Sequence, residues 1–178
     1  KPTFIIIGAM KAATTSLYTY LKQHPQVFMT RIKEPMFFNN LNREKKFIIK
    51  GKKSKKITTF DEYYSLFNTV GKEKAIGEAS PAYLYNEQCA ELIKKHLPNT
   101  KIIAIIRQPV ERAFSNYLHT KRADREPIES FENAFNSEEE RINKNWSPIY
   151  HYKSKGFYYK QLKRYYDLFP KNQIKIIL

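Results

Sequence analysis

The sequence is poor in cysteine, in acidic residues and in long apolar runs. One cysteine among 178 residues excludes a disulfide within the chain and favours a reducing compartment. Cys89 is spaced from Leu92, Ile93 and Leu97 as residues on one helix face are, which predicts a small buried side chain. The four histidines show no metal-ligand spacing such as His-Glu-x-x-His, so we expect no metal site.

Acidic residues number 17 against 32 lysines and arginines, which gives a formal net charge of +15. Such a charge attracts polyanions: nucleic acids, anionic glycans, nucleotides or acidic membranes. No apolar run reaches the roughly 18 residues of a membrane span, and no signal-peptide pattern opens the chain. Hydrophobic residues make up 42% of the chain, and its length fits one domain over residues 1–178.

The two ends of the sequence look incomplete. The chain begins with lysine, and Ile174–Leu178 has the pattern of a strand just begun. We therefore expect a domain truncated at its C-terminus. The single cysteine and the lysine- and isoleucine-rich composition favour a bacterial cytoplasmic enzyme. The Golgi lumen is expected instead if a targeting segment is missing from this chain.

The residues that follow the apolar run Phe4–Ile7 predict an anion site. The run has no alternation, which is typical of a strand buried on both faces, and a helical pattern begins at about Thr14. Between them the chain turns at Gly8. The N–H groups of a first helical turn lack intrahelical partners and favour negative charge. The candidate ligands are Lys11, Ala12, Ala13, Thr14, Thr15 and Ser16.

This loop is not a Walker A motif, because its lysine comes three residues too early. It resembles the 5′-phosphosulfate loop, Lys-x-Gly-Thr-Thr/Ser, of sulfotransferases that use 3′-phosphoadenosine 5′-phosphosulfate (PAPS). Ala13 stands where that family often has glycine. The resemblance implies that Lys11 stabilises the charge that builds on the leaving oxygen.

Two further segments resemble stretches of the same family. Lys33-Glu34-Pro35-Met36-Phe37-Phe38 is similar to its Lys-Glu-Pro-x-Phe-Phe stretch, which implies that Glu34 is the general base. Pro35 is expected to hold Glu34 extended. Glu78-Ala79-Ser80-Pro81-Ala82-Tyr83 resembles the Glu-x-x-Pro-x-Tyr stretch and makes Glu78 a second candidate base. The heparan sulfate branch has a lysine directly after this glutamate, whereas this chain has Ala79.

Arg107 follows a third apolar run, Lys101–Ile106, and Ser115 lies two turns into the next predicted helix. A guanidinium and a hydroxyl so placed can both reach one phosphate. The Arg-x₇-Ser spacing resembles the family's 3′-phosphate motif, which assigns Arg107 and Ser115 to that phosphate. The apolar spacing predicts that the helix buries Val110, Phe114, Tyr117 and Leu118. The polar run Glu138–Asn145 is expected to be solvated.

Apolar runs alternate with helical patterns, which predicts an α/β fold: a three-layer, P-loop-like domain with a mainly parallel central sheet flanked by helices. The resemblance implies a PAPS-dependent sulfotransferase that needs no metal and releases 3′-phosphoadenosine 5′-phosphate (PAP). Its acceptor would be a glycan or a small molecule. The basic segment Arg43–Lys56 is a candidate landing surface for an anionic glycan.

Two other classes of protein remain open at this point. A P-loop-type nucleotide phosphotransferase would use the same strand, loop and helix, but the misplaced lysine and the lack of a clear Walker B acid count against it. A basic nucleic-acid-binding module would explain the charge of +15 but not the pairing of Arg107 with Ser115. We therefore expect no nucleic-acid partner.

Overall fold

The computed structural model describes residues 1–41, 47 and 56–178. The chain forms two compact units. The first comprises Lys1–Arg43, Lys56–Ile106 and Tyr159–Leu178, and the second comprises Glu44–Lys55 and Arg107–Tyr158. Apart from Phe47 and Lys56, the basic segment predicted as an acceptor surface lies outside the described residues. The single domain over residues 1–178 stays a prediction.

The first unit contains a five-stranded sheet. Its strands are β1 (Phe4–Gly8), β2 (Val27–Met29), β3 (Ala75–Ala79), β4 (Lys101–Ile105) and β5 (Ile174–Ile177). Their spatial order is β2-β3-β1-β4-β5, and every pair of neighbours is parallel. All five residues of the central strand β1 are buried, as expected for a strand covered on both faces. The predicted α/β fold with a mainly parallel sheet is confirmed.

Eight α-helices occur in the described residues. They are α1 (Thr14–Gln23), α2 (Phe37–Asn40), α3 (Phe60–Ser65), α4 (Cys89–His96), α5 (Pro109–Arg122), α6 (Phe131–Asn136), α7 (Glu138–Asn143) and α8 (Tyr158–Leu168). Local sequence sets several of their ends. Thr59 and Glu62 form a capping box at the start of α3, and Pro109 occupies the first turn of α5. Cys89 is buried on α4, as its spacing predicted.

The buried face of α5 agrees only in part with the one that its apolar residues predict, because Tyr117 is buried and Leu118 is partly buried as expected. Val110 is 62% exposed and Phe114 46% exposed, whereas Arg112 and Asn116 are fully buried. The Arg112 guanidinium donates to the carbonyl of Tyr152, and the Asn116 amide donates to the carbonyl of Ile149. These hydrogen bonds compensate part of the cost of burying the two polar side chains, while Nε of Arg112 is buried without a hydrogen-bond partner among the described residues. Tertiary packing thus buries residues that the apolar spacing did not predict.

The segment expected to be solvated, Glu138–Asn145, also carries buried groups. Arg141 is 3% exposed and forms two hydrogen bonds with the Glu126 carboxylate, at 2.9 and 2.6 Å. Burial alone would raise the pKa of Glu126, but hydrogen bonds from Arg141 and Tyr152 outweigh it and hold that pKa below its usual value. A paired charge can be buried where a single one cannot, so the expectation of full solvation was wrong.

Candidate active site

The loop after β1 begins at a glycine that packing requires. A Cβ built on Gly8 would lie 2.6 Å from the Cβ of Leu84, so a larger residue would displace this neighbour. The N–H of Ala9 donates to the carbonyl of Ile105 at 2.6 Å, which ties the loop to the end of β4. Lys11 and Ala13 then have φ angles of 67° and 61°. These left-handed conformations cost a non-glycine residue about 1–2 kcal/mol each, so the surrounding packing maintains the loop.

The loop leads into the N-terminus of α1, which has no side-chain cap among the described residues. Thr15 and Ser16 are exposed in the first turn, Lys11 is partly exposed, and Ala12 and Thr14 are buried. The structure therefore brings the predicted loop residues together around a helix end suited to an anion.

Glu34 departs from its predicted conformation. Its φ is 59°, in the left-handed region, and Met36 has a φ of 49°. Sequence reasoning expected an extended Glu34 before Pro35. The difference has a tertiary cause, because the N–H of Glu34 donates at 3.0 Å to the carbonyl of Ala79, the last residue of β3. The Glu34 carboxylate accepts from the Lys33 ammonium at 2.6 Å, and the Glu34 side chain is 37% exposed.

The two phenylalanines after Glu34 anchor its segment in the core. Phe37 and Phe38 are at most 1% exposed. The Phe37 ring stacks on Tyr63 with centroids 4.5 Å apart, and the Phe38 ring lies edge-on to Tyr83 at 5.6 Å. Aromatic pairs of this geometry contribute about 0.5–1.5 kcal/mol each beyond their buried area. The segment is thus fixed on one side by aromatic packing.

Glu78 lies in a buried cluster of hydroxyl groups. Its side chain is 0% exposed. Tyr63 and Tyr83 donate their hydroxyls to Oε1 at 2.9 and 3.0 Å, and Ser80 donates to Oε2 at 2.7 Å. Burial raises the pKa of Glu78 to about 7, against the effect of these hydrogen bonds. A carboxylate enclosed in this way binds hydroxyls of its own chain and is not exposed to an acceptor.

Sequence reasoning missed the partners of Glu78. Ser80 and Tyr83 stand out in the sequence only as members of the Glu-x-x-Pro-x-Tyr stretch. Tyr63 lies 15 residues before Glu78, so no local spacing indicates the contact. Ser80, two residues beyond Glu78, offered a short-range signal, because residues i and i+2 of a strand share one face.

The second unit contains the other predicted phosphate ligands. Nε and Nη2 of Arg107 lie 3.0 and 2.9 Å from Oε2 of Glu111, four residues along the chain. Ser115 is a further four residues along α5, on the same helix face, and is partly buried. Tyr158 donates its hydroxyl to the carbonyl of Arg107 at 2.9 Å. The structure thus supports the shared face, and the binding role stays a prediction.

In the described part of the chain, no cluster of three or more His, Cys, Asp or Glu side chains is arranged to hold a metal ion. None of its helices is both long and apolar enough to cross a bilayer.

Comparisons with known proteins agree on one family. The model described as the sulfotransferase family matches residues 2–168. The crystal structure of a sulfotransferase from Alicyclobacillus acidocaldarius is similar with a TM-score of 0.93 and 39% identity, covering 100% of this chain and 73% of that chain.

Curated relatives come from eukaryotes. The membrane-associated sulfotransferase kil1 of Dictyostelium discoideum is 34% identical over 142 residues, which is 77% of this chain and 28% of that protein. Heparan sulfate glucosamine 3-O-sulfotransferase 3B1 of Mus musculus is 31% identical over 180 residues, 99% of this chain and 40% of that protein. The chain thus spans less than half the length of these two relatives. It belongs to the sulfotransferase family, as the motifs around Lys11, Glu34 and Arg107 predicted.

Proposed function

We propose that this protein transfers a sulfuryl group from PAPS to an acceptor hydroxyl or amine and releases PAP. The observation that carries the proposal is the uncapped N-terminus of α1, with exposed Thr15 and Ser16 and the partly exposed Lys11 beside it. This cradle fits the 5′-phosphosulfate end of PAPS, because backbone N–H groups, hydroxyls and an ammonium all favour an anion there.

PAPS, when bound, supplies a sulfuryl group attached to its 5′-phosphate. In our proposal Lys11 stabilises the charge that builds on the phosphate oxygen as it leaves. Thr15 and Ser16 donate hydroxyl hydrogen bonds, and the first-turn N–H groups of α1 hold the group in place. Alignment of this kind supplies much of the catalysis in related group transfers.

Glu34 takes the acceptor's proton. The acceptor oxygen or nitrogen forms a bond to sulfur, the bond from sulfur to the phosphate oxygen breaks, and the proton moves to the carboxylate. Glu34 suits this step better than Glu78, because its side chain is 37% exposed whereas Glu78 is enclosed by three hydroxyls.

Arg107 and Ser115 bind the 3′-phosphate of the nucleotide. Arginine presents a planar fork that matches phosphate, and serine adds a single donor. The Arg107 guanidinium bonds to Glu111, which holds it over the first turn of α5. A doubly charged phosphate competes with this exposed ion pair, since such pairs contribute little stability.

The acceptor is proposed to be an anionic glycan. The names of several relatives specify heparan sulfate, and the net charge of +15 suits an anionic acceptor. The segment Arg43–Lys56 remains the proposed landing surface. A bacterial cytoplasmic location remains a proposal that rests on composition.

A thermal-shift comparison tests the proposed function. Ligand at a hundred times its dissociation constant stabilises the native state by about 2.7 kcal/mol. We expect PAP to raise the Tm without any metal, and by more than ATP with magnesium or a short oligonucleotide does. A larger shift with ATP and magnesium would favour a phosphotransferase, and a larger shift with the oligonucleotide would favour a nucleic-acid-binding module.

A further inference from the structure

The segment that carries Glu34 is held in an unfavourable backbone conformation. Glu34 and Met36 both have positive φ angles, although neither is a glycine. Two such residues within three positions persist only where surrounding contacts hold them. The hydrogen bonds that hold this segment come from the last residue of β3 and from the residue that follows it.

Two hydrogen bonds bracket the segment. The N–H of Glu34 donates to the carbonyl of Ala79 at 3.0 Å, and the N–H of Met36 donates to the hydroxyl oxygen of Ser80 at 3.0 Å. Ser80 is itself tied to the central strand, because its N–H donates to the carbonyl of Ile6 at 3.0 Å. The Glu34 segment is therefore hydrogen-bonded to β3 through Ala79 and, by way of Ser80, to β1.

The Ser80 hydroxyl can accept from Met36 only if its own hydrogen points elsewhere. A serine hydroxyl has one hydrogen and two lone pairs. Oε2 of Glu78 takes that hydrogen at 2.7 Å, which leaves a lone pair for the N–H of Met36. Hydrogen bonds arranged in series polarise one another, so the carboxylate also strengthens the second bond.

The two tyrosines extend the same arrangement. Tyr63 and Tyr83 hold the other oxygen of Glu78, and Tyr83 also accepts from the N–H of Phe38 at 3.4 Å. Glu78 is thus at the centre of a rigid buried cluster with two contacts to the Glu34–Phe38 segment.

We propose that Glu78 is a positioning residue for Glu34: through the Ser80 hydroxyl it fixes the backbone at Met36, two residues beyond Glu34, and so aims the Glu34 carboxylate. This proposal rests on the proposed function, in which Glu34 is the base. It makes Ser80 a specific link, with a role separate from the stability of the core.

The test compares Ser80→Ala with Ser80→Thr and with the matched control Tyr165→Phe. Ser80→Ala removes the acceptor of Met36, and Ser80→Thr keeps a hydroxyl there. Tyr165→Phe removes another buried hydrogen bond, from its hydroxyl to the carbonyl of Tyr83 at 2.9 Å. We expect Ser80→Ala to lower kcat about ten- to hundredfold with KM for PAPS within about twofold, since small misplacements of a catalytic group cost about that much. Threonine should restore most of the rate, and Tyr165→Phe should retain it.

Hydrogen exchange of residues 33–38 provides a readout independent of activity. We expect faster exchange at the Met36 amide in Ser80→Ala than in the wild type or Tyr165→Phe. If the wild type is active and Ser80→Ala has the same kcat and the same exchange rate at the Met36 amide, the positioning role is overturned. A wild type that does not consume PAPS would instead overturn the proposed function, while the exchange comparison still tests the link to Glu78.

If Ser80→Ala does not fold, Glu78→Gln replaces it in the same assays. Glutamine has a single acceptor oxygen for the three hydroxyls that donate to Glu78, so they cannot all keep their hydrogen bonds and the orientation of the Ser80 hydroxyl is no longer fixed. We expect the same drop in kcat and the same faster exchange at Met36. Normal kcat and exchange in Glu78→Gln would overturn the proposal.

Discussion

At the scale of single residues, the two glutamates that the sequence offers as candidate bases have different environments. Glu34 pairs with Lys33 and is 37% exposed, whereas Glu78 is fully buried among hydroxyls. A base must meet its substrate, so the exposure of its side chain favours Glu34 as the proposed base. The burial of Glu78 favours the positioning role that we propose for it.

Glu34→Gln should lower kcat by about 10²–10⁴ because it removes the general base, while affinity for PAP stays within about twofold. Steady-state kinetics with PAPS and a nucleotide titration measure both quantities. Glu129→Gln is the matched control, since it breaks an ion pair of the same 2.6 Å length with Lys121. Near-normal turnover in Glu34→Gln would contradict its role.

The buried Glu78 should also make stability depend on pH. Burial raises the pKa of Glu78 from its ordinary value of 4.5 to about 7, so the folded chain retains the proton to a higher pH. The resulting stabilisation is fully present below pH 4.5 and is lost as the pH rises to about 7 and above. The difference in pKa corresponds to about 3 kcal/mol.

Urea denaturation of the wild type and Glu78→Gln between pH 4.5 and 8 measures this effect. In the difference between the two free energies of unfolding, the contributions of the titratable groups that both proteins share cancel. We expect the wild type to lose stability relative to the variant as the pH rises. A difference that stays constant over this interval would show that Glu78 does not titrate there.

At the scale of elements, both proposed phosphate sites belong to the starts of helices. α1 starts without a side-chain cap, whereas Gln108 caps α5 by accepting from the N–H of Glu111 at 2.7 Å. In the proposed sites, α1 thus leaves its first-turn N–H groups for a ligand, whereas at α5 the phosphate is bound by side chains. Arg107, just before α5, and Ser115 within it provide the donors.

Arg107→Ala should weaken binding of PAP at least tenfold, because hydrogen bonds to charged groups contribute about 1.5–3 kcal/mol. Adenosine 5′-phosphosulfate lacks the 3′-phosphate, so its affinity should change by less than about threefold. Isothermal titration with each nucleotide measures the two losses. Arg122→Ala removes an equal charge at the exposed end of α5 and serves as the control. Equal losses of affinity for both nucleotides would contradict the assignment of Arg107 to the 3′-phosphate.

At the scale of the whole molecule, charge and family together narrow the range of partners. A net charge of +15 by itself suits nucleic acid, glycan, nucleotide or membrane equally. The match of the family model over residues 2–168 supports a sulfonated nucleotide as one partner. The identity of the acceptor then depends on surfaces such as the segment Arg43–Lys56.

Much of the fold could be predicted from the sequence because its signals are local. The apolar run before Gly8, the helix start at Thr14 and the capping box of Thr59 each depend on residues within a few positions. The loop around Lys11 could be picked out for the same reason, since an anion site at a helix end is built from one short stretch, and phosphate binding there stays a prediction.

Tertiary structure decided the features that join distant residues. The left-handed Glu34 follows from a bond to Ala79, the buried Arg112 from a carbonyl 40 residues away, and the enclosure of Glu78 on β3 from Tyr63 on α3. Sequence periodicity reports the average preference of one segment for water or core. It cannot report hydrogen bonds that form only when two segments meet, and these bonds distinguish the exposed carboxylate from the buried one.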